Sequence, residues 1–391
     1  MPDPTLLQQL LGEPRLIEEG AAWPSAIRLQ HGALARLPEL FHQPLLQQPG
    51  RLADVYRGPL SFGRGLRSPQ TFDSRANASS LLQLGLTVFM QDVAPVLAGA
   101  AQFLRELERE LGVPAGSARL SAFASAGDDG VSCHYDAEEV ISIQLHGRKT
   151  FHVAPMHDIP LPYGAQFGPD MVAVENLYEQ AREGFPDPDK ATFQAFDLHP
   201  GSVLFLPRGT WHRTEAQAPS LSLSIVIRPP VLADALLGWL QPWLLADPRW
   251  RLPLYGPAGA HEPALQPLLS TLATRLSQGA EQPILSWNSA PPIDNSDLLR
   301  VPGSRLSIGG VTPQRAHLHV SALDQDWRSR TTFDSEIPAV LLPVIDWLQQ
   351  RKSAFGLHTL ARQLPHIAPG DLRQLLELLV KANALRQLVP R

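Results

Sequence analysis

The apolar and polar positions of this chain change period twice, and the changes mark its organisation. Up to about residue 80 the pattern is mixed, predicting short helices around 5–11 and 33–47 and turn-rich patches at Gly58-Pro59 and Gly63-Arg64-Gly65. Leu84 to Met90 reads as a strand. From Val96 to Leu111, apolar residues at Leu97, Ala101, Leu104, Leu107 and Leu111 repeat at helical spacing, and Gly112 stands where a helix C-terminus favours glycine. Between 118 and 230 the period becomes two. Val140–Leu145 and Arg148–Val153 flank His146-Gly147 and predict a β-hairpin; Gly201-Ser202 opens a strand over Val203–Leu206; Ser220–Ile225 alternates polar with apolar. Many short strands between turns predict a mainly β fold with added helices, a double-sheet jelly roll of the cupin type.

Pro229-Pro230 breaks this pattern. Val231–Leu245 and Pro263–Leu276 then read as helices, the first with a kink expected at Pro242. The apolar residues Leu236, Leu237, Trp239, Leu240, Trp243 and Leu244 exceed what a lone surface helix needs, so they predict a buried intramolecular interface or a homodimer contact. The Pro/Ser-rich stretch from Ser286 to Pro292 separates a last, α+β segment. There a strand (Arg315–Val320), three helices (Ala339–Gln350, Leu357–Leu364, Asp371–Lys381) and a final strand (Leu385–Val389) describe a winged-helix module. Expected domains are therefore 1–230, 231–295 and 296–391.

Winged helices often bind DNA, which makes charge decisive. Ser321–Arg391 holds nine Lys/Arg against seven Asp/Glu, and the whole chain carries a net charge of -5, so no basic stripe marks a nucleic-acid reader or an anionic-membrane binder. A structural or protein-contact role is expected of that module instead. The 391 residues, 44% hydrophobic and 18% charged, fit a globular protein of two or three domains. The sole cysteine, Cys133, excludes an intramolecular disulfide and any Cys-rich zinc module. Met1-Pro2-Asp3-Pro4 lacks a signal peptide's basic and apolar regions, and no run approaches 18 apolar residues. A cytoplasmic location is the expectation.

The candidate chemistry lies in His134-Tyr135-Asp136 and, 76 residues after Asp136, His212. On a strand, His134 and Asp136 share a face. Two imidazoles and a carboxylate can occupy one face of an octahedral ferrous ion and leave the other open, the facial triad of non-haem iron oxygenases. A His-x-Asp tripeptide is weak alone, and a lone His212 is more often a hydrogen-bonded core residue; both gain weight from standing at the ends of patterned strands. Lys149, in register with Phe151 and Val153, would be costly as an unpaired buried ammonium and so implies an anionic ligand. Parity alone leaves open the opposite arrangement, with Arg148 inside. Cys133 reads as a small packing residue rather than a fourth ligand.

The segment from His134 to Phe151, HYDAEEVISIQLHGRKTF, together with Gly201–His212, GSVLFLPRGTWH, resembles the iron-binding segments of Jumonji-C (JmjC) oxygenases, and especially their ribosomal-oxygenase branch. The resemblance is clear over roughly 84–228, and the helical pair and C-terminal module are similar in architecture to that branch, whose helices mediate dimerisation. It implies Fe(2+) held by His134, Asp136 and His212, with Lys149 on the 5-carboxylate of 2-oxoglutarate. It also implies hydroxylation of a side chain in a protein, with ribosomal proteins as the branch's substrates. Relatives place Tyr or Asn on the preceding strand; an ungapped match puts Ala122 and Leu120 there, leaving Ser121, Ser125 or Ser224 as substitutes, of which Ser224 is the expected co-substrate contact. Rival readings are an oxygenase acting on a peptide natural product or small molecule, a zinc or manganese cupin isomerase, and a non-enzymatic cupin-fold binding protein.

Overall fold

In the computed structural model, residues 4–388 are described apart from 20, 22, 64–69, 73–76, 115, 127–128, 165, 170, 172, 174, 258, 260, 278–292, 294–296 and 324–328. The chain forms two compact units, 1–285 and 286–391. The separator predicted at Ser286–Pro292 lies outside the described residues.

The first unit begins with α1 (Leu6–Leu11), β1 (Arg28–Gln30), α2 (Pro49–Val55), β2 (Leu60–Gly63) and β3 (Gln70–Phe72). Next come α3 (Ala78–Gln83), β4 (Thr87–Met90), α4 (Ala100–Leu111), β5 (Ala118–Ser125) and β6 (Asp129–His134). Two long strands dominate the rest: β7 (Glu139–Pro155) and β10 (Thr210–Ile227), with α5 (Glu175–Gln180), β8 (Gln194–Leu198) and β9 (Val203–Leu206) between them. They are followed by α6 (Leu232–Ala246) and α7 (Glu262–Ser277).

β7 and β10 run antiparallel along nearly their full lengths, and each belongs to both sheets of the jelly roll. Beyond a register shift between Gln217 and Leu221, the partners change. The halves 148–155 and 210–217 pair outward with β8 and β6, whereas 139–145 and 220–227 pair with β9 and β5. The hairpin expected at His146-Gly147 is thus absent. Glycine there serves a bend within one strand: Gly147 has φ +70°, and a Cβ on it would lie 2.1 Å from the Pro219 carbonyl oxygen of β10. A turn and a bend look alike in sequence because both call for glycine.

The main core lies against the second sheet. Leu120, Ala122 and Ala124 of β5, Ile141 and Ile143 of β7 and Leu223 and Ile225 of β10 are fully buried with the N-terminal helices. α4 packs there through Ala100, Phe103, Leu104 and Leu107, starting later than Val96, while Ala101, placed on the apolar stripe by the sequence, is exposed. Buried Glu108 satisfies its carboxylate on the backbone N–H groups of Gly116 and Ala118, each at 2.8 Å. The helix expected over 33–47 is three 3-10 turns (Leu34–Arg36, Glu39–His42, Pro44–Leu46), because Pro38 and Pro44 interrupt it. The strand expected from Leu84 begins at Thr87; Leu84 and left-handed Gly85 finish α3.

α6 continues through Pro242 and buries none of its described side chains; Leu232 and Leu237 are 76% and 63% exposed. Among the described residues Leu236 and Leu237 stay exposed, whereas Trp239, Leu240, Trp243 and Leu244 are half-buried. No helix among the described residues is long and apolar enough to cross a membrane.

The second unit holds β11 (Asp297–Arg300), β12 (Arg305–Gly309), β13 (Arg315–Leu323), β14 (Ser329–Pro338), α8 (Leu342–Gln350), α9 (Leu357–Gln363), α10 (Pro369–Lys381) and β15 (Leu385–Leu388). The three helices and last strand fall where the sequence puts them. β15 pairs with β11, and β12–β13–β14 form a three-stranded sheet of which the sequence shows only the middle member. Leu318, Val320, Ile345, Leu348, Leu360, Leu372 and Leu376 fill this core.

Candidate metal centre and its cavity

Backbone contacts at one end of the jelly roll fix the His134–Asp136 segment. Tyr135 exchanges N–H···O bonds of 2.9 and 3.0 Å with Phe167, and the Gly209 N–H donates to the Asp136 carbonyl at 2.8 Å. Gly209 adopts φ +72° in the turn that opens β10, so the loop before His212 is docked directly on Asp136. Next to it, Arg208 forks onto Glu139 in a buried bidentate pair, with Nη2–Oε2 at 2.9 Å. His212 and His134 then stand opposite each other in the β10–β6 register, rings 4.2 Å apart.

The donor atoms converge. His134 Nε2 lies 3.8 Å from one Asp136 oxygen and His212 Nε2 lies 3.6 Å from the other. Each Nδ1–H donates to a backbone carbonyl, of Ser132 at 2.7 Å and of Thr210 at 3.0 Å. That fixes the tautomers and leaves both Nε2 lone pairs facing the carboxylate, the second support that metal-binding histidines require. Burial, followed by the neighbouring His134, pushes His212 down to about 4, so its imidazole is neutral near pH 7. Among the described residues these three are the group able to hold a metal ion.

The triad opens onto a cavity of about 360 Å³. Its inner wall includes Lys149, which is buried, whereas Arg148 is exposed; the arrangement with Arg148 inside is excluded. The Lys149 ammonium lies 3.5 Å from Ser222 Oγ and over the rings of Phe123 and Phe151, at 4.6 and 5.0 Å. Burial lowers it to about 8, and no carboxylate among the described residues pairs with it. An anion in the cavity would supply the missing partner.

The other side chains on the cavity differ by one position from the expectation for β5. Leu120 and Ala122 face the core, while Arg119, Ser121 and Phe123 line the cavity. Ser224 lines it too, but Ser125 instead hydrogen-bonds Thr87 at 3.0 Å. Cys133 is half-buried, packed with the cluster around Tyr135 and Trp211. Two features escape sequence reasoning: the Arg208–Glu139 pair, and Glu138 at the cavity between Arg119 and Arg228, 3.2 and 3.5 Å away.

Residues 109–235 match the family model of the JmjC domain. The chain is 29% identical over 190 residues to the uncharacterized protein YxbC of Bacillus subtilis (strain 168), covering 46% of this chain and 56% of that one. It is 34% identical over 91 residues to human HSPB1-associated protein 1, covering 22% of this chain and 19% of that one. The chain thus spans only part of both relatives. Among solved structures, the Escherichia coli ribosomal oxygenase YcfD aligns over 94% of this chain and 96% of its own, at 16% identity and a TM-score of 0.44. Its complex with cobalt and 2-oxoglutarate aligns at 17% identity and a TM-score of 0.43. The likeness to the JmjC domain lies in the sequence of 109–235.

Proposed function

We propose that this protein is an Fe(II)- and 2-oxoglutarate-dependent oxygenase that hydroxylates a side chain of a protein substrate. The observation carrying this reading is one cavity with a metal-binding triad at one end and an unpaired buried ammonium further in. His134, Asp136 and His212 would hold Fe(II), and Lys149 would pair with the far carboxylate of the diacid. When bound, iron and 2-oxoglutarate would supply the oxidising chemistry with O2 as the oxidant: one oxygen atom goes into succinate as the oxo acid loses CO2, and the other enters a substrate C–H bond. The protein's own part is orientation and exclusion of water. The two backbone-anchored imidazoles keep their lone pairs aimed at one point, Asp136 adds negative charge, and the Phe123 and Phe151 rings shield the ammonium. No side-chain general base is required.

Similarity of the two motifs to the ribosomal-oxygenase branch makes a ribosomal protein the first substrate to test. A homodimer joined through α6 and α7, formed in the cytoplasm, belongs to the same reading and accounts for the exposed leucines there. The test is succinate formation by the purified chain with Fe(II) and 2-oxoglutarate, and with His134→Ala and Asp136→Ala variants. Activity is expected in the parent and absent in both variants at unchanged fold; full turnover in both variants refutes the assignment. Proteins from a deletion strain, compared by mass spectrometry for a lost oxygen atom, identify the substrate.

A further inference from the structure

The cavity is ordered in rows by strand register. His212 and His134 form the row at the metal end, Thr214 pairs with Phe151 in the next, and Ala216 pairs with Lys149 in the third. On the opposite sheet, Val226 pairs with Val140 and with Arg119, Ser224 with Ser142 and with Ser121, and Ser222 with Gln144 and with Phe123. Because Lys149 touches Ser222 and Phe123, the third rows of the two sheets face each other. The row Ser121–Ser224–Ser142 therefore lies between the ammonium and the metal end, and all three serines line the cavity.

Ser142 stands out in that row. Its side chain is buried, 1% exposed, yet Oγ has no hydrogen-bond partner among the described residues. Ser121, by comparison, donates to the Ser224 carbonyl at 3.3 Å. A buried hydroxyl left unsatisfied costs free energy that a ligand could return. We propose that Ser142 is a binding residue for the diacid, donating its hydroxyl to the same far carboxylate that Lys149 neutralises; this rests on the co-substrate reading above. Two residues along a strand span about 6.6 Å. That is the offset between the row of Ser142 and the row of Ser222, which Lys149 touches, so a carboxylate accepting one hydrogen bond at each oxygen is the size of group that reaches both rows. Ser142 and Lys149 then do together what an aromatic hydroxyl on β5 would otherwise assist, since β5 offers the serine of Ser121 at that level.

Titration calorimetry on the full chain loaded with Mn(II), under nitrogen so that no turnover occurs, tests this. Ser142→Ala should weaken 2-oxoglutarate binding about tenfold or more, the usual effect of deleting a hydrogen bond to a charged group. Mn(II) affinity should be unchanged, and the thermal midpoint of the ligand-free protein should hold or rise, because an unsatisfied hydroxyl has been removed. A merely structural serine would lower that midpoint instead. Selectivity for 2-oxoglutarate over 2-oxobutyrate, which lacks the far carboxylate, should fall by the same factor. Should alanine destabilise the fold, Ser142→Cys, a weaker donor of similar shape, should also weaken binding. Affinity within twofold of the parent, or unchanged selectivity, overturns the assignment. If the parent itself binds no 2-oxoglutarate, the co-substrate reading falls first, a result distinct from failure at Ser142.

Discussion

Replacing Lys149 with methionine keeps the length and apolar stem of the side chain and removes its charge, so it isolates the electrostatics of the cavity. In the ligand-free protein the ammonium is buried beside two rings and a hydroxyl, and burial lowers it from 10.5 to about 8. At 1.36 kcal/mol per tenfold, that difference is about 3 kcal/mol opposing folding while the group is charged. The folded value lies below the unfolded one, so between pH 8 and 10.5 the unfolded chain binds more protons. Stability must then rise with pH across that window, and the full penalty is present below it. Urea unfolding of metal-free parent and Lys149→Met proteins from pH 7 to 10.5 reads this directly. The variant should be more stable by up to about 3 kcal/mol at pH 7, with the gap closing as pH approaches 10.5. With Mn(II) bound, the same variant should lose 2-oxoglutarate affinity by about thirtyfold to a few thousandfold, the effect of leaving a desolvated carboxylate unpaired. A stability gap that does not change with pH, together with parent-like affinity, would refute both the burial argument and the role of Lys149.

Three further outcomes follow from the fold. Arg208→Ala leaves the Glu139 carboxylate buried without its partner and should cost about 3–5 kcal/mol in chemical unfolding, with Arg208→Met/Glu139→Met recovering part of the loss. Gly147→Ala meets the Pro219 carbonyl and a left-handed backbone together and should cost about 2 kcal/mol or more, where alanine at Gly238, which meets nothing within 4 Å, should not destabilise. Sedimentation should show the parent as a dimer and Leu237→Arg, a charge on the exposed α6 face, as a monomer; identical sedimentation rejects that face as the contact.

The triad was legible because strand ends are local facts: His134 closes β6, Asp136 follows two residues on, and His212 stands at the opening of β10. The pair of long strands was not, since a bend and a hairpin both call for a glycine, and only the partner strand decides between them. On β5 the ungapped match to Leu120 and Ala122 falls on the core face, and of the serines offered in their place Ser121 faces the cavity. Alternation shows that every second residue faces the cavity but not which set, and here small residues occupy both: Ala122 and Ala124 in the core, Ser121 on the cavity. The sheet of the second unit escaped for another reason. Outside its middle strand it is built from mixed polar runs such as Arg305–Gly309 and Ser329–Pro338, whose pairing comes from neighbours rather than an apolar rhythm.

Sharing β7 and β10 between the two sheets has a consequence for how this pocket can be remodelled. His212 and Ser224 are carried by one continuous ribbon, and Ser142 and Lys149 by the other, so a shift in either ribbon moves several cavity side chains together. β5 supplies Ser121 and Phe123 to the cavity wall but no member of the triad. It is the wall where a designer could widen or narrow the chamber while leaving the triad untouched.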